Sequence, residues 1–225
     1  MIKIQNLCKS YGENQVFDNF NLKIEKGKIT CILGESGSGK TTLLNVLSNL
    51  TEYTGEIITD KCSMVFQKPN LFPSMTAIQN LTVVNSDIQL AEKTLLEVGL
   101  ADKIKEYPLH LSGGQAQRVA LARALVYDAP VLLMDEPFSN LDLGLKHHLI
   151  DVVKKHHEKK KNTVVLVTHD INEAVSLADR IVVLSKGQIV YDTCEINEKT
   201  EKELFGLMIA LFKNTQNESE NKIKN

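Results

Sequence analysis

Apolar and polar positions alternate at the start of the chain. Lys3–Cys8 and Phe20–Glu25 read as short runs of alternating character, broken by Asn6 in the first and regular in the second, and Tyr11-Gly12-Glu13-Asn14 between them has turn chemistry. The pattern predicts two strands there, a turn at Glu25-Lys26-Gly27, and a buried strand at Ile29-Thr30-Cys31-Ile32-Leu33 that leads into a glycine-rich loop. The period then changes: Leu43, Leu44, Val46, Leu47 and Leu50 recur at helical spacing. Gly55–Thr59 and Ser63–Phe66 return to strand character.

From about Lys68 to His110 strand signals are sparse. This stretch opens with Pro69 and Pro73 and holds one clear helix at about Asp87–Val98, with Ile88, Ala91, Leu95 and Val98 as its stripe and Gly99 suited to its end. A helix from Gly114 to about Tyr127 follows. Strands at Val131–Met134, Val164–Thr168 and Ile181–Leu184 then alternate with helices at about Leu143–Lys160 and Ile171–Ala178. That order predicts a mostly parallel sheet with covered faces. Gln188–Tyr191 is read as closing a hairpin on the strand before it, Glu198–Phe212 as a helix, and the polar residues 214–225 as a disordered tail.

Composition narrows the classes of function. A 43% hydrophobic content supports a sizeable core, and a net charge of −2 gives no reason to expect nucleic acid as a partner. The N-terminal residues carry no apolar signal core, and no stretch approaches the ~20 apolar residues that span a bilayer. The chain is read as soluble, with any membrane role peripheral. Cysteines 8, 31, 62 and 194 form no C-x-x-C pair and are read as reduced, buried thiols.

Gly34-Glu35-Ser36-Gly37-Ser38-Gly39-Lys40-Thr41 fits G-x-x-x-x-G-K-[ST] in full, after a buried strand and before a helix. Glycines let successive N–H groups face inward, the helix N-terminus adds its dipole, and Lys40 adds a charge that can reach β- and γ-phosphates. The Thr41 hydroxyl is placed to ligate Mg²⁺. Val131-Leu132-Leu133-Met134-Asp135-Glu136 is the complementary element, a buried strand delivering carboxylates at its C-terminal end, where ligands of parallel sheets bind. Asp135 is expected to hold Mg²⁺ through water and Glu136 to polarise the attacking water. An acidic pair alone is equally a solvated turn; the glycine loop decides for a site.

Leu111-Ser112-Gly113-Gly114-Gln115, with Gln117-Arg118 and followed by the acidic strand, resembles the signature of ABC-type ATPases. Alone, the run is also an ordinary N-cap. The resemblance covers about Ile2 to Tyr191. It implies an α/β fold: a P-loop NTPase core with a mostly parallel sheet, an N-terminal antiparallel β subdomain, and a helical subdomain inserted at about 68–127 of an ATPase domain over 1–213. It implies ATP and Mg²⁺ as ligands. Tyr11 matches the aromatic that stacks on adenine, and Thr42 the residue that reaches the α-phosphate. Gln67 matches the glutamine near metal, water and membrane partner, and His169 the histidine on the γ-phosphate. The catalytic set is thus Glu136, His169, Gln67 and Lys40; the metal set is Thr41, Gln67 and Asp135. Residues 34–42 hold the nucleotide. Leu111, Ser112, Gly113, Gly114 and Gln115 would act in trans on a second copy, as would Asp142 within Ser139-Asn140-Leu141-Asp142.

The same resemblance implies partners: a second ATPase subunit in a homodimer, an integral membrane permease, and an extracytoplasmic substrate-binding protein, with the chain on the cytoplasmic face of the cell membrane. The absence of a fused membrane domain, and the runs Phe72-Pro73-Ser74-Met75-Thr76 and Pro137-Phe138-Ser139, are similar to small bacterial importer ATPases of the nitrate, sulfonate and taurine type. The short stretch from Lys40 to Gln67 departs from that group. Leu71, Phe72, Pro73 and Met75 are either a socket for a permease helix or local packing. The alternatives are a soluble or membrane-associated ABC ATPase of an assembly or regulatory complex, and an exporter ATPase. His147, His148, His156 and His157 are not expected to converge on metal: with Leu145, Leu149 and Val152 aligning the helix, His156 falls on the core stripe and His147 faces away. The basic run Lys154–Lys161 reads as a solvated helix C-terminus.

Overall fold

The computed structural model describes residues 1–139 and 141–223, with side chains at all of these except 212 and 214–223. In chain order its elements are β1 (Ile2–Tyr11), β2 (Asn14–Ile24), β3 (Ile29–Leu33), α1 (Lys40–Leu47), β4 (Thr54–Ile58), β5 (Cys62–Val65), α2 (Ala77–Thr82), α3 (Ile88–Glu97), α4 (Gly113–Tyr127), β6 (Val131–Asp135), α5 (Leu143–Lys160), β7 (Thr163–Thr168), α6 (Ile171–Leu177), β8 (Arg180–Ser185), β9 (Gln188–Thr193) and α7 (Glu198–Ile223). The chain divides into two compact units.

One unit holds Ile2–Ile24, Lys28–Ile58 and the chain from Leu166 onward. Its antiparallel sheet has the order β2-β1-β4. β1 and β2 form a hairpin from Ile2↔Ile24 to Tyr11↔Asn14, longer than the alternation predicts. The strands continue through irregularities after Ile4, where the buried positions slip from Ile4 to Leu7 and Asn6 takes a positive φ of 50°. The unit's second sheet runs β7-β3-β8-β9: β3 and β8 are parallel and β9 returns antiparallel on β8. All five residues of β3 are buried, as expected of a largely apolar strand within a parallel sheet.

The other unit holds Met1, Glu25–Gly27 and Thr59–Val165. Its strands follow the order β5-β6-β7, with β5 and β6 parallel, and the chain leaves the unit within β7. The fold is therefore the expected α/β class, with a parallel sheet and an antiparallel N-terminal sheet.

Several local expectations are corrected. Leu50 lies beyond α1 and is 58% exposed, because Ser48 turns its hydroxyl onto the Leu44 carbonyl and Asn49 takes a positive φ. Ile88 is also exposed: Asp87 caps α3 by accepting the Leu90 N–H, which puts Ile88 in the open first turn, and the buried stripe is Ala91, Thr94, Leu95 and Val98. α2 is an additional helix, started by a reciprocal capping box between Thr76 and Gln79. On α5 the buried stripe is Leu149, Ile150, Val153 and His157, so His157 and not His156 faces the core. α7 has a helical backbone through residues 214–223, the stretch read from the sequence as a tail; residues 224 and 225 lie outside the described residues.

Candidate nucleotide site

In the first unit β3 delivers the chain to the glycine loop. Gly34, Ser38, Gly39 and Lys40 are buried, Glu35 is half-buried, and Ser36 and Gly37 are exposed. Gly39 heads α1 with φ 105°, and a Cβ there would lie 2.9 Å from the Phe17 ring, so backbone and packing both require glycine. The Lys40 ammonium, 7% exposed, donates to the carbonyls of Gly34 at 2.8 Å and Glu35 at 2.7 Å, which curls the loop around its charge. The β8–β9 hairpin grips the loop twice. Ser185 donates its hydroxyl proton to Glu35 Oε1 at 3.0 Å, and the Gly187 N–H donates to the Ser38 carbonyl at 3.1 Å. Thr41 is exposed and Thr42 half-buried in the first turn of α1, where free N–H groups face outward.

Tyr11 ends β1 with its ring about half exposed and the Lys9 ammonium 4.4 Å from its centroid. His169 is exposed and follows β7, between two fixed neighbours. Thr168 donates to Glu173 Oε2 at 2.6 Å and accepts the Asp170 N–H at 3.1 Å; Asp170 caps α6 by accepting the Asn172 N–H at 2.9 Å. Burial, and then the nearby Glu173 carboxylate, push the Cys31 thiol up, so it stays protonated and inert. All four cysteines are free: Cys31 is buried, Cys8 and Cys62 are half-buried, and Cys194 is exposed, which corrects the expectation of four buried thiols.

In the second unit β6 ends on Asp135, 3% exposed. Glu136 follows at φ 45°, a left-handed backbone that non-glycine residues seldom adopt and that concentrates at functional sites. Ser139 fixes that turn, donating its N–H at 3.2 Å and its hydroxyl at 2.9 Å to the Glu136 carbonyl. Gln67 is brought to Glu136, its amide 3.4 Å from Oε2, a long contact. Gln117, buried within α4, sets the base of Gln67 by donating to the Phe66 carbonyl at 3.0 Å.

Ser112 heads α4, its hydroxyl accepting the Gln115 N–H at 3.2 Å while Gln115 Oε1 accepts the Ser112 N–H at 2.8 Å. Leu111 and Gly114 are half-buried, and Ser112 and Gly113 are exposed. A Cβ on Gly113 would meet no described atom within 4 Å. Arg118 ties α4 to the end of α3, donating to the carbonyls of Val98 at 3.0 Å and Gly99 at 2.8 Å. Burial lowers the pKa of its guanidinium, against the raising effects of Asp102 and Asp142. Asp142 is exposed and caps α5, accepting the Leu145 N–H at 2.9 Å. Asn140 lies outside the described residues.

Sequence reasoning passed over Asn80, Gly187 and Ser185. Only Asn80 left a signal, since Thr76-Ala77-Ile78-Gln79 before it is a capping-box pattern. Among the described residues no group of three or more His, Cys, Asp or Glu is placed to hold a metal ion.

The ABC transporter family profile matches residues 17–139. The aliphatic sulfonates import ATP-binding protein SsuB 2 of Pseudomonas syringae pv. syringae is 43% identical over 197 residues, which cover 84% of this chain and 70% of that protein. The probable ABC transporter ATP-binding protein PEB1C of Campylobacter jejuni is 38% identical over 231 residues, covering 90% and 96%. Among solved structures, a dimeric post-hydrolysis state of the ATP-binding cassette MJ0796 bound to ADP and Pi matches with a TM-score of 0.80 at 34% identity, covering 86% of this chain and 98% of that one.

Proposed function

Because the chain belongs to the ABC transporter family of ATP-binding proteins, we propose that it is the ATP-hydrolysing subunit of an importer, acting as one of two copies that close on ATP and open after hydrolysis. It binds ATP, and its ATPase activity is coupled to transport. The observation that carries the two-copy reading is Gly113. It heads a 15-residue helix, it is exposed, and nothing within 4 Å in the described chain requires it to lack a side chain. Its smallness serves a contact from outside: the γ-phosphate held by a second copy, approached by backbone N–H groups at the positive end of the helix.

In this reading Lys40 supplies charge to the β- and γ-phosphates, the N–H groups of residues 34–41 cradle them, Thr42 reaches the α-phosphate, and Tyr11 stacks on adenine. Glu136 polarises the attacking water, Gln67 beside it orients that water, and His169 contacts the γ-phosphate. Leu111, Ser112, Gly113, Gly114, Gln115 and Asp142 complete the partner's site. Mg²⁺ fits the donor chemistry, since the exposed Thr41 hydroxyl, the buried Asp135 carboxylate and the Gln67 amide oxygen are all hard oxygen ligands that would hold it. Bound there, the ion neutralises charge on the transferred phosphoryl group.

No described helix is long and apolar enough to cross a membrane. In this reading a permease is the chain's partner and the chain works on the cytoplasmic face, which its likeness to import ATP-binding proteins supports. Residues 67–75 are the proposed docking surface. Relatives named for aliphatic sulfonates favour import with an external binding protein.

Glu136→Gln tests the reading. The variant is expected to bind ATP, form a dimer by size exclusion with light scattering, and lose about a hundredfold or more in turnover, the usual contribution of a general base. A variant that stays monomeric in ATP and Mg²⁺, even with the permease supplied, overturns it. Lys40→Ala is expected to lose nucleotide affinity.

A further inference from the structure

α3, the C-terminal end of α4 and α5 enclose a cavity of about 350 Å³, wholly within one unit and lined by none of the residues assigned above to the nucleotide. We infer that this cavity binds an organic anion with an apolar body, such as an alkyl or aryl phosphate or sulfonate; the inference does not depend on the importer reading.

The volume is that of a small-molecule site. The floor is apolar, built from Leu90, Leu125 and Val152. Thr94 adds no free hydroxyl, because its proton goes to the Leu90 carbonyl at 2.8 Å. The rim is basic. Lys93, Lys155, Lys159 and Lys160 line it against two carboxylates, Glu97 and Asp128. Glu97 sits 3.9 Å from Lys93, and Asp128 is ion-paired with Lys160. Lys155 and Lys159, one turn apart on α5, have no carboxylate partner among the described residues. Two lysines that line this partly apolar cavity thus have no ion-paired carboxylate among the described residues. The helix dipole explains lysines in the last turn of α5, but Lys155 lies before that turn, and the dipole does not explain an apolar hollow beneath them.

Two histidines of α5, His148 and His156, also line the cavity. His148 Nε2 is 2.7 Å from the Glu97 carbonyl, so it donates there. His156 lies 3.8 Å from Asp128. Asp128 is also the left-handed C-cap of α4, at the opposite end of that helix from Ser112. An anion drawing Lys160 away from Asp128 therefore acts on the far end of the helix that carries the signature.

The test is calorimetric titration of the Lys40→Ala chain, in which the phosphate loop is disabled, with n-octyl phosphate, inorganic phosphate and octyltrimethylammonium. Octyl phosphate is expected to bind saturably at one site, at least about tenfold tighter than inorganic phosphate, with no binding of the cation. Lys155→Ala/Lys159→Ala is expected to weaken octyl phosphate by about tenfold, the worth of two partly exposed ion pairs. Val152→Phe, which fills the hollow, should reduce octyl phosphate to the level of inorganic phosphate. Equal binding of the two phosphates, saturable binding of the cation, or octyl phosphate binding unchanged in the lysine double variant overturns the proposal.

Discussion

Asn80→Ala should destabilise the chain by about 2–3 kcal/mol, and the contacts of this one buried amide show why. Asn80 sits in the short helix α2 with no exposed surface. Its Oδ1 accepts the Phe72 N–H at 2.8 Å, and its Nδ2 lies within reach of three carbonyls, Phe72 at 3.2 Å, Met75 at 3.1 Å and Thr76 at 3.1 Å. Arg123 adds a contact at 3.4 Å to Oδ1 and donates to the Asn70 carbonyl at 2.6 Å. The amide is therefore the template on which residues 70–76 are wound. Alanine does not orphan all of these groups. The Phe72 carbonyl keeps the Met75 N–H, and the Thr76 carbonyl keeps the N–H of residue 80. The Phe72 N–H and the Met75 carbonyl lose their partners, and two unsatisfied groups at about 1–3 kcal/mol each, eased by solvent at the half-exposed Phe72, set the magnitude. Because the chain has no Trp, urea unfolding is best followed by far-UV circular dichroism. Asn80→Asp sharpens the test: it keeps the shape and the acceptor but turns an oxygen toward three carbonyls. It should be at least as destabilised at neutral pH and recover in part when acid protonates the carboxyl and restores one donor. An aspartate variant as stable as the parent at neutral pH would refute the argument, since the donor contacts would then carry nothing.

Three further outcomes follow from the same reasoning. Gly187→Ala should cost about 2–4 kcal/mol, from a left-handed alanine and a Cβ placed 1.9 Å from the Val16 carbonyl, and should weaken ATP binding because Gly187 holds Ser38; an unchanged urea midpoint contradicts this. Asp142→Ala should lose about 1 kcal/mol of stability through the α5 cap while Asp142→Asn keeps it, so a loss of ATPase in the stable asparagine variant isolates a role for the carboxylate beyond capping. Burial, outweighing Asp128, holds His156 below the ordinary imidazole range, so on acidification the unfolded chain takes up its proton first. Its contribution to stability is full above about pH 6.5 and falls as the pH drops through that value, and His156→Gln should flatten that part of a stability–pH profile; an unaltered slope excludes it.

The elements legible in the sequence were those whose signal is local. β3, β6 and β7 are mostly apolar and lie buried at every residue, and α5 spans the predicted Leu143–Lys160. Errors arose where capping or a partial exposure shifts a pattern by one position. Leu145 and Val152 are only half-buried on α5, so a stripe drawn through them points to His156 when the core takes His157. α2 has six residues, too few for periodicity to register, and only its capping box betrays it. The contacts of Asn80 and Gln117 were illegible for a different reason: each is a buried amide bonded to backbone groups, and backbone partners leave no residue type to read.

The site motifs divide along the same line, and the division bears on function. Gly39 is glycine because this chain's own Phe17 ring leaves no room for a Cβ, so its place in the motif is already accounted for by the fold. Gly113 has no such internal cause. Glu136 holds an unfavourable backbone that Ser139 enforces twice, through its N–H and its hydroxyl. Where internal packing explains a motif residue, the motif reports fold; where it does not, the residue answers to something outside the chain. By that criterion the glycine loop alone shows only that a phosphate can be held. The exposed head of α4 and the left-handed backbone at Glu136 are the features that the proposed second copy and the proposed role in hydrolysis would account for.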